Sequence, residues 1–286
     1  MKKYYSLAIS LIAALTFTAC TEDEGTTPGG DSTPGVVVYK YDVASPLNPD
    51  NDVNIRVVAN NAAEATYLLA EKTADKNARG LSEAEYANYV VENGTKIEAK
   101  ADEQSGGVEL DSTFVGLYGE YTISAVAVKG GKKTLASTTF TGLDWADVVD
   151  GVYNFANANT QYLLGMTANA TTLQVCTTDE TLFRFKDVFG EGVHLKVVAL
   201  PDYTATDDGG TYTYLRVPDQ SIGVTYGGED CRVRDVGYWQ GDASFVTDGG
   251  YESGMYEDHF CFIMVQLHVG TKNYGYNYYD TFVPAE

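Results

Sequence analysis

The chain is poor in the side chains that build metal centres and nucleophilic sites. Its 286 residues include only 4 cysteines and 3 histidines. The histidines, His194, His259 and His268, do not have the spacing of a zinc site, and no second ligand type accompanies them. Cys261 and His259 are two residues apart on one predicted strand and lack the third group that orients a nucleophile and its base. We therefore predict no metal, no cofactor and no catalytic residue.

Basic residues are also scarce. Lys and Arg number 19 against 40 Asp and Glu, which gives a formal net charge of -21 at pH 7. A field of this sign repels phosphate backbones and anionic membrane surfaces. We therefore predict no nucleic-acid partner. The same charge keeps a protein surface soluble through self-repulsion.

Long hydrophobic runs are lacking except near the beginning of the sequence. Met1-Lys2-Lys3 is basic, and residues 7–17 are mostly apolar. A helix that crosses a bilayer needs about 20 apolar residues, so this run is too short to be a membrane span. A short basic segment followed by a short apolar one is typical of an export signal. We predict a signal peptide over residues 1–19.

The residues that follow this segment resemble a lipid-attachment signal. Thr18-Ala19-Cys20 resembles the lipobox of bacterial lipoproteins, although Phe17 stands where that pattern usually has Leu. The resemblance implies that Cys20 is acylated and anchors the chain to a membrane. The acidic run at residues 21–24 resembles the tag that marks surface export in Bacteroidetes, which implies an outer-membrane location facing the cell exterior. The alternatives are an ordinary cleaved signal with an incidental cysteine and the solvated start of a linker.

Three cysteines remain after Cys20, namely Cys176, Cys231 and Cys261. Because three is an odd number, at most one disulfide can form and one thiol stays free. Export makes a disulfide chemically permissible. We favour Cys231 with Cys261, since both lie in aromatic, strand-like runs, but the sequence leaves the pairing open.

The abundant residues indicate a mainly β protein. The chain has 22 tyrosines and 29 glycines, and its apolar residues alternate with polar ones instead of recurring at helical spacing. Its length allows two domains. We predict a lipid-anchored flexible linker over residues 20–35, a first domain over 36–142, and a C-terminal antiparallel β domain over 146–286.

One helix is predicted within the first domain, from Glu83 to about Asn93. Ser82 is a suitable N-cap, Glu85 completes a capping box, and Gly94 ends the helix. Three apolar side chains share one face at three- and four-residue spacing, which favours packing over a sheet; they are Tyr86, Tyr89 and Val90.

The first domain resembles fibronectin type III and immunoglobulin-like domains of Bacteroidetes surface lipoproteins. Three predicted strands, a helical insertion and four further strands carry the resemblance, through AEATYLLAEK, LSEAEYANYVVENG and EYTISAVAVKGG. Tyr121 lies where such sandwiches have their F-strand tyrosine. The resemblance implies an immunoglobulin-like β-sandwich with one inserted helix. Such domains usually act as spacers or binding modules.

The second domain shows many short predicted strands with turn signals about every ten residues, which indicates a sandwich or an antiparallel barrel. We predict strands that include Gln161–Leu164, Phe260–Val269 and Tyr274–Val283. GVYNFA, ETLFRFKDVFGEGVHLKV and the closing FCFIMVQLHVGTKNYGYNYYDTFVP resemble a C-terminal β domain of lipoproteins from gut Bacteroidetes. This resemblance implies a fold and a location, and it brings no catalytic motif.

Acidic pairs keep a hydrolase among the alternatives. Asp207-Asp208, Glu229-Asp230 and Glu257-Asp258 each lie beside glycine or in a polar run, where they indicate turns and loop faces. A glycoside hydrolase needs two carboxyl groups about 5 to 10 Å apart across a cleft.

The oxygen-rich turn Asn48-Pro49-Asp50-Asn51-Asp52 lacks the Gly and the bidentate Glu of an EF-hand, which favours an Asx-rich turn over a calcium site.

The density of aromatic side chains is the only feature that suggests a ligand. Our candidate ligand-binding residues are Trp239, Tyr274, Tyr276 and Tyr278. If residues 274–278 formed a strand, the three tyrosines would point to one side and offer flat faces to sugar rings. A sandwich core or a solvated β face rich in tyrosine would have the same pattern.

We therefore predict a non-enzymatic surface lipoprotein that binds carbohydrate through its C-terminal domain. Its partners would be a membrane, reached through the lipid anchor, and a glycan ligand. The first alternative is an adhesion or assembly protein with a surface protein partner. The second is a glycoside hydrolase.

Overall fold

The computed structural model describes residues 33–44, 46–60, 63–97, 100–101, 107–276 and 278–286. The predicted signal peptide, Cys20 and residues 20–32 of the predicted linker lie outside these residues. The described chain is mainly β and its strand pairs are antiparallel, which confirms the predicted fold class. No helix in the described part of the chain is long and apolar enough to cross a membrane.

Two four-stranded sheets form from the first half of the chain. Their strands are β1 (Val36–Tyr41), β2 (Val53–Asn60), β3 (Ala65–Lys72), β4 (Thr95–Ile97), β5 (Lys100–Ala101), β6 (Gly107–Phe114), β7 (Gly119–Lys129) and β8 (Lys132–Gly142). The first sheet has the order β1-β2-β6-β5, and the second has the order β4-β3-β7-β8. The first order corresponds to strands A, B, E and D of an immunoglobulin constant-type domain, and β3, β7 and β8 correspond to C, F and G.

The two sheets pack face to face as a β-sandwich. Val53, Ile55 and Val57 alternate along β2 and are buried, whereas the residues between them are partly exposed. They share one core cluster with Ile123 of β7 and Phe140 of β8, which belong to the other sheet. Full burial of each large aliphatic side chain stabilises the fold by about 1.5 to 3 kcal/mol.

Two helices connect β3 to β4, where one was predicted. The predicted helix is confirmed as α2 (Glu83–Asn93), since the Ser82 Oγ accepts from the Glu85 N–H and the Glu85 carboxylate accepts from the Ser82 N–H. It packs on the second sheet through Tyr86 and Val90. The shorter α1 (Thr73–Ala78) has no side-chain cap and buries no residue, so neither a capping signal nor apolar periodicity marks it in the sequence.

The second half of the chain forms a closed barrel and a separate sheet. Its elements are β9 (Trp145–Asn154), α3 (Ala158–Leu164), β10 (Ala168–Cys176), β11 (Asp179–Gly190), β12 (Val193–Asp207), β13 (Gly210–Arg216), β14 (Gln220–Tyr226), β15 (Glu229–Arg234), α4 (Val236–Gln240), a 3-10 helix (Ala243–Val246), β16 (Ser253–Tyr256), β17 (Cys261–Met264), β18 (Gln266–Val269), β19 (Lys272–Asn273) and β20 (Tyr279–Pro284). The barrel order is β10-β11-β12-β13-β16-β17-β20-β9, and the sheet order is β14-β15-β18-β19. Of the two predicted architectures, this part of the chain therefore contains a barrel.

Aromatic side chains fill the barrel. The rings of Tyr153 and Phe185 have centroids 5.1 Å apart, and those of Phe185 and Phe282 are 5.2 Å apart. All three side chains are fully buried. An eight-stranded barrel is just wide enough for side chains to fill it, so this interior acts as a hydrophobic core.

The predicted strand Gln161–Leu164 is wrong, because these residues belong to α3. Asn157 caps this helix by accepting from the Asn159 N–H at 2.9 Å, and Gly165 ends it in a left-handed conformation at φ 68°. Both signals are present in the sequence, but a seven-residue helix has too few turns to show helical periodicity.

The two long C-terminal strands are also shorter than predicted. The run 260–269 is divided between β17 of the barrel and β18 of the separate sheet. Residues 274–276 and 278 lie outside any strand, between β19 and β20, so the predicted strand Tyr274–Val283 is wrong in its first half. Gly275 adopts φ +117°, a conformation outside the strand region that favours glycine.

No disulfide joins Cys231 to Cys261, so that prediction is wrong. Cys176, Cys231 and Cys261 are all buried and unbridged. Cys231 lies in β15 of the separate sheet, whereas Cys261 lies in β17 of the barrel. Both thiols fill core positions, and burial raises their pKa values above the ordinary range.

Candidate functional site

The structure divides the four candidate aromatic residues into separate groups. Trp239 lies against Tyr276, with ring centroids 5.6 Å apart. Tyr274 instead faces Tyr226 at 6.5 Å. Tyr278 is exposed. Because residues 274–276 and 278 do not form the predicted strand, the tyrosines do not form one flat platform.

The first group, which we call the Trp239 cluster, consists of Trp239, Phe245, Tyr251 and Tyr276. Tyr251 is 6.1 Å from Tyr276 and 6.2 Å from Phe245, measured between ring centroids. Neighbouring rings are inclined to each other by 41° to 55°. Inclined rings that pack on one another stabilise the loops that carry them, and these rings do not form one coplanar surface.

A buried ion pair fixes the helix that carries Trp239. The Asp235 carboxylate is fully buried and accepts from Arg216 Nε at 2.7 Å and from the Val217 N–H at 2.9 Å. It also caps α4 by accepting from the Tyr238 N–H at 2.8 Å. The Arg216 guanidinium lies over the Tyr238 ring, 4.5 Å from its centroid. These contacts hold α4 against β13 of the barrel.

The second group forms a cleft, which we call the tyrosine cleft. Its lining residues are Asn159, Tyr162, Leu163, Tyr226, Leu267, Val269 and Tyr274, and they enclose about 120 Å³. Tyr162 is 80% exposed and Tyr226 is 53% exposed, while Tyr274 is half-buried. Two large aromatic side chains therefore extend into solvent beside an apolar floor.

Hydrogen bonds hold the backbone of one wall in place. The carbonyl oxygen of Tyr274 accepts from Asn157 Nδ2 at 3.0 Å and from Asn159 Nδ2 at 3.1 Å. The Tyr274 N–H donates to the Leu267 carbonyl at 2.8 Å, and the Leu267 N–H donates to the Gly275 carbonyl at 3.2 Å. The position of Tyr274 is therefore set before any ligand arrives, which lowers the entropy cost of binding.

A buried carboxyl group supports the opposite wall, where α3 begins. Asp280 of β20 is 2% exposed and accepts from the Ala156 N–H at 2.7 Å and from the Tyr153 hydroxyl at 3.2 Å. Burial raises the pKa of Asp280 to about 7. The Gln161 side chain of α3 donates to the Phe155 carbonyl at 2.6 Å. These bonds place Tyr162, on α3, at the rim of the cleft.

The lining of the tyrosine cleft consists of tyrosine, asparagine and aliphatic side chains. The lining contains no carboxyl, imidazole or thiol group. Tyrosine rings provide apolar faces and hydroxyl groups together, and the Asn159 amide provides a further polar group. Apolar faces and hydrogen-bonding groups therefore lie side by side in this cleft.

The sequence places the three acidic pairs in turns, and the structure agrees only in part. Glu257-Asp258 and Asp208 are turn residues, whereas Asp207 ends β12 and Glu229-Asp230 begin β15, where the prediction is wrong. The Asp207 carboxylate accepts from the Tyr256 hydroxyl at 2.7 Å and from the Gly209 N–H at 2.8 Å. These hydrogen bonds lower the pKa of Asp207 and stabilise the turn.

Two of the three histidines have structural partners. His194 Nδ1 accepts from the Asp187 N–H at 2.9 Å, and burial lowers the pKa of His194. His268 is 3.3 Å from Asp219. The oxygen-rich turn is an Asx turn, in which the Asn48 Oδ1 accepts from the Asp50 N–H at 3.1 Å. The Asp52 carboxylate also accepts from the Asn48 and Gly116 N–H groups. Within the described residues, no group of three or more His, Cys, Asp or Glu side chains is placed to hold a metal ion.

A larger groove lies in the sandwich, between the helices and β8. It encloses about 540 Å³ and is lined by Lys76, Asn77, Gly80, Leu81, Glu83, Tyr86, Leu135, Ala136 and Ser137. The Tyr86 hydroxyl donates to Glu71 at 2.8 Å and is 3.2 Å from the Ser124 Oγ. This groove is polar and has one aromatic ring, whose hydroxyl is already engaged in the fold.

Tyr162 and Tyr226 of the cleft are functional candidates that the sequence patterns missed. Tyr162 lies in a stretch predicted as a strand, and Tyr226 precedes a Gly227-Gly228 turn at the end of β14. The caps Asn157 and Gly165 are the signal that places Tyr162 on a short helix. Nothing in the sequence brings either residue to Tyr274, because that proximity depends on how the separate sheet packs beside α3.

No protein-family model, no curated protein and no solved structure matches this chain. Its function is therefore inferred from the geometry of its own side chains.

Proposed function

We propose that this chain is a non-enzymatic lipoprotein of the outer-membrane surface, and that it binds carbohydrate in the tyrosine cleft. The observation that carries the proposal is the cleft itself. Three tyrosines surround an apolar floor, and two of them are more than half exposed.

Exposed tyrosine rings gain binding free energy when a ligand covers them. Removing apolar surface from water stabilises a complex by about 25 cal/mol per Å². One face of a sugar ring is apolar C–H surface, and its edge carries hydroxyl groups. The rings of Tyr162 and Tyr226 can cover the face, while the tyrosine hydroxyls and Asn159 can bond the edge.

The proposed location follows from residues outside the described range. Thr18-Ala19-Cys20 resembles a lipobox, and the acidic residues 21–24 resemble a surface-export tag. Each buried CH₂ of an acyl chain contributes about 0.8 kcal/mol, so several chains hold a protein firmly at a membrane. Cys20→Ser should move the protein from the membrane fraction to the soluble fraction, and an unchanged membrane fraction would contradict the anchor.

A glycan array, followed by affinity electrophoresis in gels that contain each retained polysaccharide, tests carbohydrate binding. The protein is the chain from residue 21. We expect Tyr162→Ala and Tyr226→Ala each to reduce retention by about tenfold, since stacking one sugar ring contributes on the order of 1 to 2 kcal/mol. Tyr203→Ala is the matched control, because Tyr203 is similarly exposed but lies on β12 away from the cleft lining.

A third variant separates the two aromatic groups. Trp239→Ala should leave retention unchanged, since Trp239 belongs to the other cluster. Retention that depends on Trp239 and not on Tyr162 or Tyr226 would move the site to the Trp239 cluster. If no glycan is retained, carbohydrate binding is refuted.

A second candidate function, adhesion through protein contacts, is favoured by the outer surface of the barrel. Val152 of β9 and Val283 of β20 are paired neighbours and both are exposed, and Tyr279 is exposed on the same strand as Val283. Exposed apolar side chains that are neighbours are frequent in protein interfaces. Crosslinking on intact cells tests this function, and recovery of lipid without any neighbouring protein would count against it.

A further inference from the structure

We propose that the tyrosine cleft takes one terminal ring of an uncharged glycan, and does not take an internal stretch of a charged polysaccharide. This inference rests on the proposed carbohydrate-binding function and specifies its ligand. Three properties of the cleft carry it: its volume, the absence of charge in its lining, and the hydrogen-bonding groups at its rim.

The volume limits how much of a glycan can enter. The cleft has a volume of about 120 Å³ and is open to solvent. Sites that enclose a drug-sized ligand are larger, at about 300 to 1,000 Å³. The cleft therefore accommodates one sugar ring in part and leaves the following rings in solvent, so most of the binding free energy comes from one ring.

The lining determines which charge is tolerated. None of the seven lining residues is charged, and the whole chain carries a formal net charge of -21. The strand registers place Glu229 opposite Tyr226 and Lys272 opposite Val269, which is one residue of each sign. A sulfated or uronic-acid ring would find no cationic partner in the lining and would meet a repulsive long-range field.

The rim groups match hydroxyl groups. In the described part of the chain, none of the hydroxyls of Tyr162, Tyr226 and Tyr274 has a hydrogen-bond partner within the protein. The Asn159 Nδ2 is already engaged with the Tyr274 carbonyl, which leaves its Oδ1 as an acceptor. Hydroxyl groups can donate to this oxygen and exchange hydrogen bonds with the phenols. An aliphatic side chain of a peptide offers these groups no hydrogen-bond partner, whereas a sugar hydroxyl does.

The test compares chain lengths and charges by calorimetric titration of the protein from residue 21. The probes are disaccharides and hexasaccharides of glucose, galactose, mannose and N-acetylglucosamine, together with the O-sulfated form of each hexasaccharide. We expect the disaccharide and the hexasaccharide of the recognised series to differ by less than about threefold in Kd. We expect the sulfated form to bind at least tenfold more weakly at about 20 mM salt, with a smaller difference at about 500 mM because salt screens the repulsion.

Two results would overturn this inference while leaving carbohydrate binding intact. One is a gain of about thirtyfold or more from disaccharide to hexasaccharide, which would mean that several rings contribute. The other is tighter binding of a sulfated probe. If no saccharide binds, both the inference and the proposed function fail.

Tyr226→Phe keeps the ring and removes the hydroxyl. A loss of about threefold to tenfold in saccharide affinity with this variant measures the hydrogen bond apart from the stacking of the ring.

Discussion

Asp280 shows how one buried residue makes the stability of this protein depend on pH. Its carboxyl group is almost completely buried in the barrel, and its hydrogen-bond donors are the Ala156 N–H and the Tyr153 hydroxyl. Burial raises its pKa from 3.8 to about 7 in the folded state. The folded chain therefore binds this proton more tightly than the unfolded chain does.

The sign of the effect follows from this difference. The contribution of Asp280 is fully present below about pH 4 and is lost as the pH rises to about 7, with a total of about 4 kcal/mol. Asp280→Asn keeps an acceptor for Ala156 and has no proton to lose. We expect the free energy of unfolding, measured by urea titration at pH 5 and at pH 8, to differ less between the two pH values in Asp280→Asn than in the parent chain.

The control for this prediction is Asp208→Asn, since Asp208 is exposed in the turn after β12. Its pH dependence should follow that of the parent chain, including the general repulsion among the acidic residues. If the free energy of unfolding changes equally with pH in Asp280→Asn and in the parent chain, Asp280 is not protonated in the folded state.

Thr160 provides a second prediction at a single residue. It is 1% exposed on α3, and its hydroxyl has no hydrogen-bond partner among the described residues. A buried polar group without a partner costs about 1 to 3 kcal/mol. Thr160→Val should therefore raise the free energy of unfolding by about 1 kcal/mol in denaturant titrations.

The comparison for Thr160 is Thr171, which is also buried but donates to the Lys186 carbonyl at 2.5 Å. Thr171→Val should lower the free energy of unfolding by about 1 kcal/mol, because it leaves that carbonyl unpaired. Equal effects of the two substitutions would mean that Thr160 has a partner in solution.

The loop between β19 and β20 positions Tyr274 in the lining of the tyrosine cleft. A Cβ atom on Gly275 would lie 2.8 Å from the Tyr278 ring and 3.0 Å from Asn157 Nδ2, and the residue has φ +117°. Gly275→Ala should therefore displace Asn157, which donates to the Tyr274 carbonyl. We expect a loss of about 1 to 3 kcal/mol in stability together with weaker glycan binding.

Gly131→Ala is the matched control for Gly275→Ala. Gly131 also has positive φ, at +84°, but a Cβ there would meet nothing within 4 Å, and the residue lies in the turn between β7 and β8. The Gly131→Ala variant should be less stable than the parent chain and should keep its affinity for the glycan. If Gly275→Ala also keeps its full affinity, the loop does not position the binding tyrosines.

The elements differ in how well the sequence predicts them, and their length explains the difference. The helix α2 has a capping box and buries Tyr86, Ala87 and Val90 on one face, so local and tertiary signals agree. The helices α3 and α4 have 7 and 5 residues, too few for a periodic apolar face. Their caps, Asn157 and Gly165 for α3 and Asp235 and Gly241 for α4, were the only local signals.

For the whole molecule, composition and alternation were sufficient to predict a mainly β chain, and the first half follows an immunoglobulin-like strand order. The candidate site was only partly predictable. Trp239 and Tyr276 were chosen for their aromatic character and do meet, but Tyr274 joins Tyr162 and Tyr226 instead. Those three residues come from α3, β14 and the loop after β19, and only the packing of barrel, helix and sheet brings them together.

The most direct test of the tyrosine cleft as a glycan site is a crystal structure of the chain soaked with the glycan that it retains best. We predict density for one sugar ring in the cleft, within about 4 Å of the Tyr226 or Tyr162 ring, and weaker density for the rings that follow. Density at the Trp239 cluster or in the groove beside α2, with an empty cleft, would contradict this account.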